Sequence, residues 1–146
     1  PRAHPRNIAA AKRIFNVSAA TEYAQYRLYV NARLKNCLMT LVDESSELRA
    51  QVTAGMCGFR NAAEGTYEAG YQCSVRMFDR IREEADNRRV EIRLEILLNG
   101  FGPSRSAMLK ALSMSEGDGI RELVNRLTDR TPVKIGGVRL QKARRS

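Results

Sequence analysis

Val90-Glu-Ile-Arg-Leu-Glu-Ile-Leu-Leu98 alternates apolar and charged residues, and Asn99-Gly-Phe-Gly-Pro-Ser-Arg105 follows directly. Val90, Ile92, Leu94, Ile96 and Leu98 share one face of a strand, with Glu91, Arg93 and Glu95 on the other. The glycines end the strand. Met108, Leu109 and Leu112 then recur at helical spacing, so a helix is expected from about Pro103 to Met114. Pro103 suits a first helical turn, where no N–H is needed. A strand that feeds a helix start through glycines leaves backbone N–H groups unpaired, and with the helix dipole these favour an anion. Ser104 adds a hydroxyl and Arg105 a forked cation. Asn99, Gly100, Gly102, Pro103, Ser104 and Arg105 are therefore read as a phosphate-contacting turn.

Upstream, Tyr67, Tyr71, Val75, Phe78, Ile81 and Ala85 recur at three- and four-residue steps, an amphipathic helix closed by Arg88 and Arg89. Its aromatic stripe reads as core rather than as a platform for bases. Before it, Ala54 to Gly65 is a glycine-containing loop. Leu48 to Thr53 reads as a strand, and Asp43 to Glu47 as a polar hairpin turn. Cys37 to Val42 is nearly all apolar and predicts a strand buried on both faces. Arg33 to Asn36 is a turn, and Tyr26, Leu28, Val30 and Ala32 alternate as a first strand. Downstream, Ser115 to Gly119 is a loop. Leu123 to Asp129 is ambiguous between helix and strand. From Thr131 the chain is basic and lacks an apolar period, as in an extended tail. The order β-β-β-α-β-α-(β) predicts an α/β domain with an antiparallel meander and parallel strands joined by helical crossovers.

The chain has 146 residues and a net charge of +9. No apolar run approaches a membrane-spanning length. Residues 1–13 and 130–146 hold ten basic side chains and no acid, whereas the residues between hold 15 basic and 16 acidic ones. A nearly neutral body with two basic ends fits a nucleic-acid partner. The expected organisation is a basic arm over 1–21, an α/β domain over 22–129 and a basic tail over 130–146. The acid-poor start reads equally as the remnant of an organelle-targeting segment or as an ordinary arm. Cys37, Cys57 and Cys73 are widely spaced and lack a C-x-x-C. They predict buried reduced thiols, not a disulfide framework or a zinc site. His4, the only histidine, lies in the arm.

Four segments in order resemble one family, the universal small-subunit ribosomal protein eleven family. Cys37 to Asp43 with its polar turn is similar to the family's central hairpin. Thr53-Ala-Gly55 with Gly58-Phe-Arg60 resembles its Ala-Thr-Ala-Gly…Gly-Phe-Arg loop. Asn99 to Arg105 resembles its Lys-Gly-Pro-Gly-Pro-Gly-Arg signature. Asp129-Arg-Thr-Pro132 through Gly137, Arg139 and Arg144-Arg145 resembles its basic tail. The likeness covers about residues 24–146. Asn61 to Glu68 departs from it, lacking the family loop's Arg and Lys and carrying Glu64 and Glu68; Leu140-Gln141, Lys134-Ile135, Phe101 and Ser104 depart as well. Such drift resembles an organellar member.

The resemblance implies a three-layer α/β fold, a mixed five-stranded sheet with helices on both faces, related to the ribonuclease-H-like motif without its catalytic site. It makes Leu123 to Asp129 a strand. It implies a structural constituent of the small ribosomal subunit, sited on the platform near the mRNA exit path. It also implies a mitochondrial location, with another organellar or a cytoplasmic ribosome as the alternative. The implied partners are small-subunit rRNA, neighbouring ribosomal proteins and messenger RNA near its exit, with no membrane, metal or cofactor. The expected RNA-contacting residues are Arg33, Lys35 and Asn36; Gly55, Gly58, Phe59 and Arg60; the turn Asn99, Gly100, Gly102, Pro103, Ser104 and Arg105; and, in the tail, Arg130, Thr131, Lys134, Gly136, Gly137, Arg139, Lys142, Arg144 and Arg145. Arginine forks phosphate oxygens, and glycine lets backbone come close.

The alternative is a metal-dependent nuclease of ribonuclease-H type, with Asp43, Glu91, Glu95 and Asp129 as its carboxylates. Against it, Asp43 reads as a turn residue, and Glu91 and Glu95 as a solvated strand face. No histidine-based catalytic set is present. Gly100-x-Gly102 lacks the third glycine and the lysine of a nucleotide-binding loop. A membrane or protein adaptor would need an exposed amphipathic face, and the long helix spends its apolar stripe on the core.

Overall fold

The computed structural model describes residues 22–143 and 145; the arm over 1–21 and Arg144 lie outside the described residues. The strands are β1 (Tyr23–Arg33), β2 (Asn36–Val42), β3 (Leu48–Thr53), β4 (Glu91–Asn99) and β5 (Val124–Asp129). The helices are α1 (Tyr67–Asn87), α2 (Pro103–Ser113) and a short α3 (Ile120–Leu123). Of the ambiguous stretch Leu123 to Asp129, Leu123 closes the short helix and Val124–Asp129 is the strand that the resemblance implies. The expected α/β class and mixed five-stranded sheet are present, in the order β3-β2-β1-β4-β5. β1 is antiparallel to β2 and β2 to β3, while β1 and β4, and β4 and β5, run parallel.

The expected third layer is absent among the described residues. Both α1 and α2 lie on the same face of the sheet. The reason is topological. β3-α1-β4 and β4-α2-β5 step in the same direction across the sheet, and right-handed crossovers then place both helices on one side. Tyr26, Leu28, Val30, Cys37, Met39, Leu41, Ile92, Leu94, Ile96 and Leu98 face those helices and form one core with Cys73, Met77, Phe78, Ile81, Met108 and Ala111. Each large side chain enclosed there contributes about 1.5–3 kcal/mol of transfer free energy. The opposite face keeps Leu38, Thr40 and Val42 only half-buried. β2 is therefore buried on one face, not on both.

The stripe of α1 is also rotated from the expected one. Its buried residues are Ala69, Gly70, Cys73, Ser74, Met77, Phe78 and Ile81, whereas Tyr67 is 46% exposed. Small residues decide this. A Cβ on Gly70 would lie 2.5 Å from Ser104 Cα and 3.2 Å from Ala107 Cβ, so α1 and α2 meet where glycine leaves room. Thr66 caps α1 by accepting the Ala69 N–H at 3.3 Å, a bond of the kind that contributes about 1 kcal/mol.

Candidate nucleic-acid interface

β1, β3, β4 and β5 run the same way, so their C-terminal ends share one edge of the sheet with the start of β2. The four groups of expected RNA-contacting residues all leave from that edge. They are the β1–β2 turn, the loop after β3, the glycine turn after β4 and the tail after β5.

The β1–β2 turn is the centre. Arg33 pairs with Asn36, leaving Leu34 and Lys35 at the tip. Asn36 Oδ1 accepts the Cys37 N–H at 2.7 Å. Glycines press on the turn from both sides. A Cβ on Gly65 would lie 2.7 Å from the Leu34 carbonyl oxygen, and one on Gly102 2.3 Å from that of Arg33. Gly100 has φ +89°, and its Cβ would fall 2.4 Å from the Ala32 oxygen. These contacts are between protein backbones, so Gly100 and Gly102 are needed for the fold itself.

The same turn spends most of the N–H groups expected for an anion. Gly102 donates to Ala32 O at 2.9 Å and Arg105 to Gly102 O at 3.1 Å. Gly100 donates to Thr131 Oγ1 at 3.0 Å. Ser104 is turned inward, 3% exposed, and among the described residues its hydroxyl has only the weakly bonding Cys37 thiol beside it, with no well-formed hydrogen bond. Its side chain therefore belongs to the α1–α2 contact and not to the surface. Arg105 lies 4.5 Å over the ring of Phe101. It donates to the Gly100 carbonyl at 3.3 Å and to Asp129 Oδ1 at 3.4 Å. Asn99 and Pro103 are exposed beside it.

Asp129 joins this turn to the tail. Its carboxylate accepts the Thr131 hydroxyl at 2.7 Å and the Thr131 N–H at 2.9 Å. Those bonds, with Arg105, hold its pKa down at about 2. Arg130 donates its N–H to Leu98 O at 2.7 Å, and its guanidinium lies 5.3 Å from the Tyr29 ring centre. Beyond Thr131 the tail has no regular element. Gly136 and Gly137 have φ of +65° and +83°, and Lys134 Nζ donates to the Val138 carbonyl. Ala143 then returns to a groove of about 760 Å³ bounded by Asn31–Lys35 and Asn99–Gly102. Arg145 reaches a second cavity of about 290 Å³ with Leu34, Lys35, Glu64 and Gly65.

The loop after β3 holds two 3-10 turns, Gly55–Cys57 and Asn61–Gly65, and Gly58 between them has φ +92°. Phe59 packs against the core and is not an open stacking surface, whereas Arg60 is exposed.

The charges at this edge differ from those of the body. Arg49 pairs with Asp43 at 2.6 Å, Arg80 with Glu83 at 3.0 Å and Arg82 with Asp79 at 2.9 Å. Among the described residues, Arg105–Asp129 is the one ion pair in the cluster of loops. Arg33, Lys35, Arg60, Arg130, Lys134, Arg139, Lys142 and Arg145 have no acidic partner there. Beside them stand exposed apolar groups that charge counting does not find: Leu34 at 78% and Phe101 at 71%. The hint for Phe101 was its place between two glycines.

The nuclease alternative does not survive this geometry. Asp43 follows β2 at the opposite edge of the sheet from Asp129, is buried, and pairs with Arg49 and Arg88. Glu95 accepts from Thr128 at 3.2 Å. No group of three or more His, Cys, Asp or Glu among the described residues could hold a metal ion. No described helix is long and apolar enough to cross a membrane.

A family model for ribosomal protein S11 matches residues 27–145. The small ribosomal subunit protein uS11m of Neurospora crassa is 27% identical over 144 residues, covering 98% of this chain and 38% of that protein. The protein of the same description from Schizosaccharomyces pombe is 30% identical over 122 residues, covering 82% of this chain and 52% of its own length. The chain thus spans about half the length of these curated relatives, or less. The match of the family model runs from β1 through the tail, taking in every loop gathered at the basic edge, and the chain belongs to the ribosomal protein S11 family.

Proposed function

We propose that the chain is a structural, non-catalytic component of the small subunit of a mitochondrial ribosome, and that it holds small-subunit rRNA with the basic edge of its sheet. The observation that carries this is the convergence of four loop segments whose cations, Arg105 excepted, lack acidic partners among the described residues. Folded rRNA is held mainly by shape and phosphate contacts, which need such cations on a rigid frame. Arg33, Lys35, Arg60, Arg130, Lys134, Arg139, Lys142 and Arg145 are the phosphate-contacting side chains. Asn36 and Asn99 supply exposed amides next to them. Gly55, Gly58, Gly100, Gly102, Pro103, Gly136 and Gly137 shape the backbone that carries them, and Arg105 and Thr131 anchor the tail. Phe101 offers a ring to an unstacked base.

The compartment follows the names of the two fungal relatives. The family likeness supports a site on the platform near the messenger exit path, with ribosomal proteins and messenger RNA as neighbours.

The test is binding of the purified chain to small-subunit rRNA across a salt series. Affinity is expected to fall steeply with salt. Deleting residues 131–146 should cost at least about tenfold, the loss expected when several phosphate contacts go. Affinity that is insensitive to salt, or unchanged without the tail, would refute the reading.

A further inference from the structure

The three cysteines, far apart in the chain, meet under the loop after β3. Cys57 Sγ lies 3.6 Å from Cys73 Sγ on α1, and Cys37 at the start of β2 is a third thiol beside Cys73. All are free. Cys37 and Cys73 are enclosed, at 1% and 0% exposure. Cys57 is only half-buried and opens on a surface pocket of about 220 Å³ shared with Gln72, Arg76 and Asp79. One sulfur of the close pair is thus reachable by a small solute, and the other is shielded.

We propose that Cys57 and Cys73 are a thiol modification site that closes to a reversible disulfide, with hydrogen peroxide as the oxidant and Cys57 as its point of entry. The peroxide O–O bond breaks, Cys57 sulfur takes one oxygen to become a sulfenic acid, and the first water leaves. Cys73 sulfur then attacks Cys57 sulfur. The S–S bond forms, the S–O bond breaks, and the departing hydroxide takes the Cys73 proton as the second water. One peroxide is reduced to two waters while two thiols are oxidised to one disulfide.

The geometry permits the closure. The sulfurs must approach from 3.6 Å to about 2.05 Å. Cys57 ends a single 3-10 turn, and the left-handed Gly58 after it has open space where a side chain would be. Arg76 on α1 donates to the Met56 carbonyl and keeps the loop beside the helix. The hydrogen bond to the Cys37 thiol, with burial and then Cys57, pushes the Cys73 thiol up, so Cys73 waits protonated and acts through proximity once Cys57 is oxidised. Cys37 has no comparable opening to solvent. In a reducing compartment such a bond is transient and sensing rather than structural.

The reduced full chain is treated with hydrogen peroxide, denatured, alkylated and digested, and its peptides are mapped without reductant. The expected map shows a Cys57–Cys73 linked peptide, an alkylated Cys37, and recovery of both lost thiols with dithiothreitol. Cys57→Ser should abolish the link and Cys37→Ser should leave it. Three alkylated thiols after treatment, Cys57 stopped at sulfinic acid with Cys73 free, or a Cys37–Cys73 link would each overturn the proposal. The wild-type map decides the matter even where a variant fails to fold.

Discussion

Ser104 and Gly102 stand two positions apart at the start of α2 and should respond oppositely to replacement by alanine. The expectation gives Ser104 a hydroxyl facing phosphate, yet it sits against Gly70 with no well-formed hydrogen bond and only the Cys37 thiol beside its oxygen. A buried hydroxyl without a partner costs about 1–3 kcal/mol of desolvation. Ser104→Ala should therefore leave the melting midpoint unchanged or raise it, and leave rRNA affinity unchanged. A drop in affinity at unchanged stability would return the hydroxyl to the interface. Gly102→Ala should behave oppositely. Its new methyl would lie 2.3 Å from the Arg33 oxygen, and forcing backbones apart costs about 1–3 kcal/mol or more. Denaturant unfolding of the two variants separates these outcomes.

At the scale of the element, β5 and the tail are joined by one carboxylate. The Asp129 pKa, ordinarily 3.8, is held at about 2 by the Thr131 hydroxyl, the Thr131 N–H and Arg105. A depressed carboxylate stabilises the folded form above its ordinary pKa and loses that contribution as pH falls through the folded value. The tail anchor should thus be intact above about pH 4 and loosen towards pH 2. The amide resonances of Gly100 and Thr131 should titrate in that window, and Asp129→Asn should remove the titration. A midpoint near 4 would mean that the carboxylate is not held as described. This anchor was only half legible in the sequence. Asp129-Arg-Thr-Pro132 stood out as a motif. Its role did not, because the partner residues Gly100 and Arg105 come from a different loop and meet it only through the parallel pairing of β4 with β5.

For the whole molecule, the decisive feature is the single edge on which turns and tail collect. Phosphate contacts there should act as independent counter-ion sites. Arg33→Glu and Lys35→Glu, each on an exposed or half-exposed side chain, should each lower the slope of log affinity against log salt by about 1. Circular dichroism should show no change in fold. Arg80→Glu, on the solvent side of α1, serves as the control and should leave the slope alone. Equal effects at all three positions would mean that net charge, not the basic edge, governs binding.

Alternation in β1 and β4, helical spacing in α1 and α2, the glycine turns and the two charged ends could all be read along the chain, because each is set by residues a few positions apart. The α/β class and the family resemblance followed from them. The tertiary structure alone decided that both helices cover one face, since the direction of a crossover depends on strand order and not on the residues of the helix. It alone assigned Gly100 and Gly102 to backbone packing, Ser104 to the interior and Phe59 to the core, since burial depends on what another segment brings alongside. It also brought Cys57 to within 3.6 Å of Cys73, a pairing that spacing along the chain does not encode.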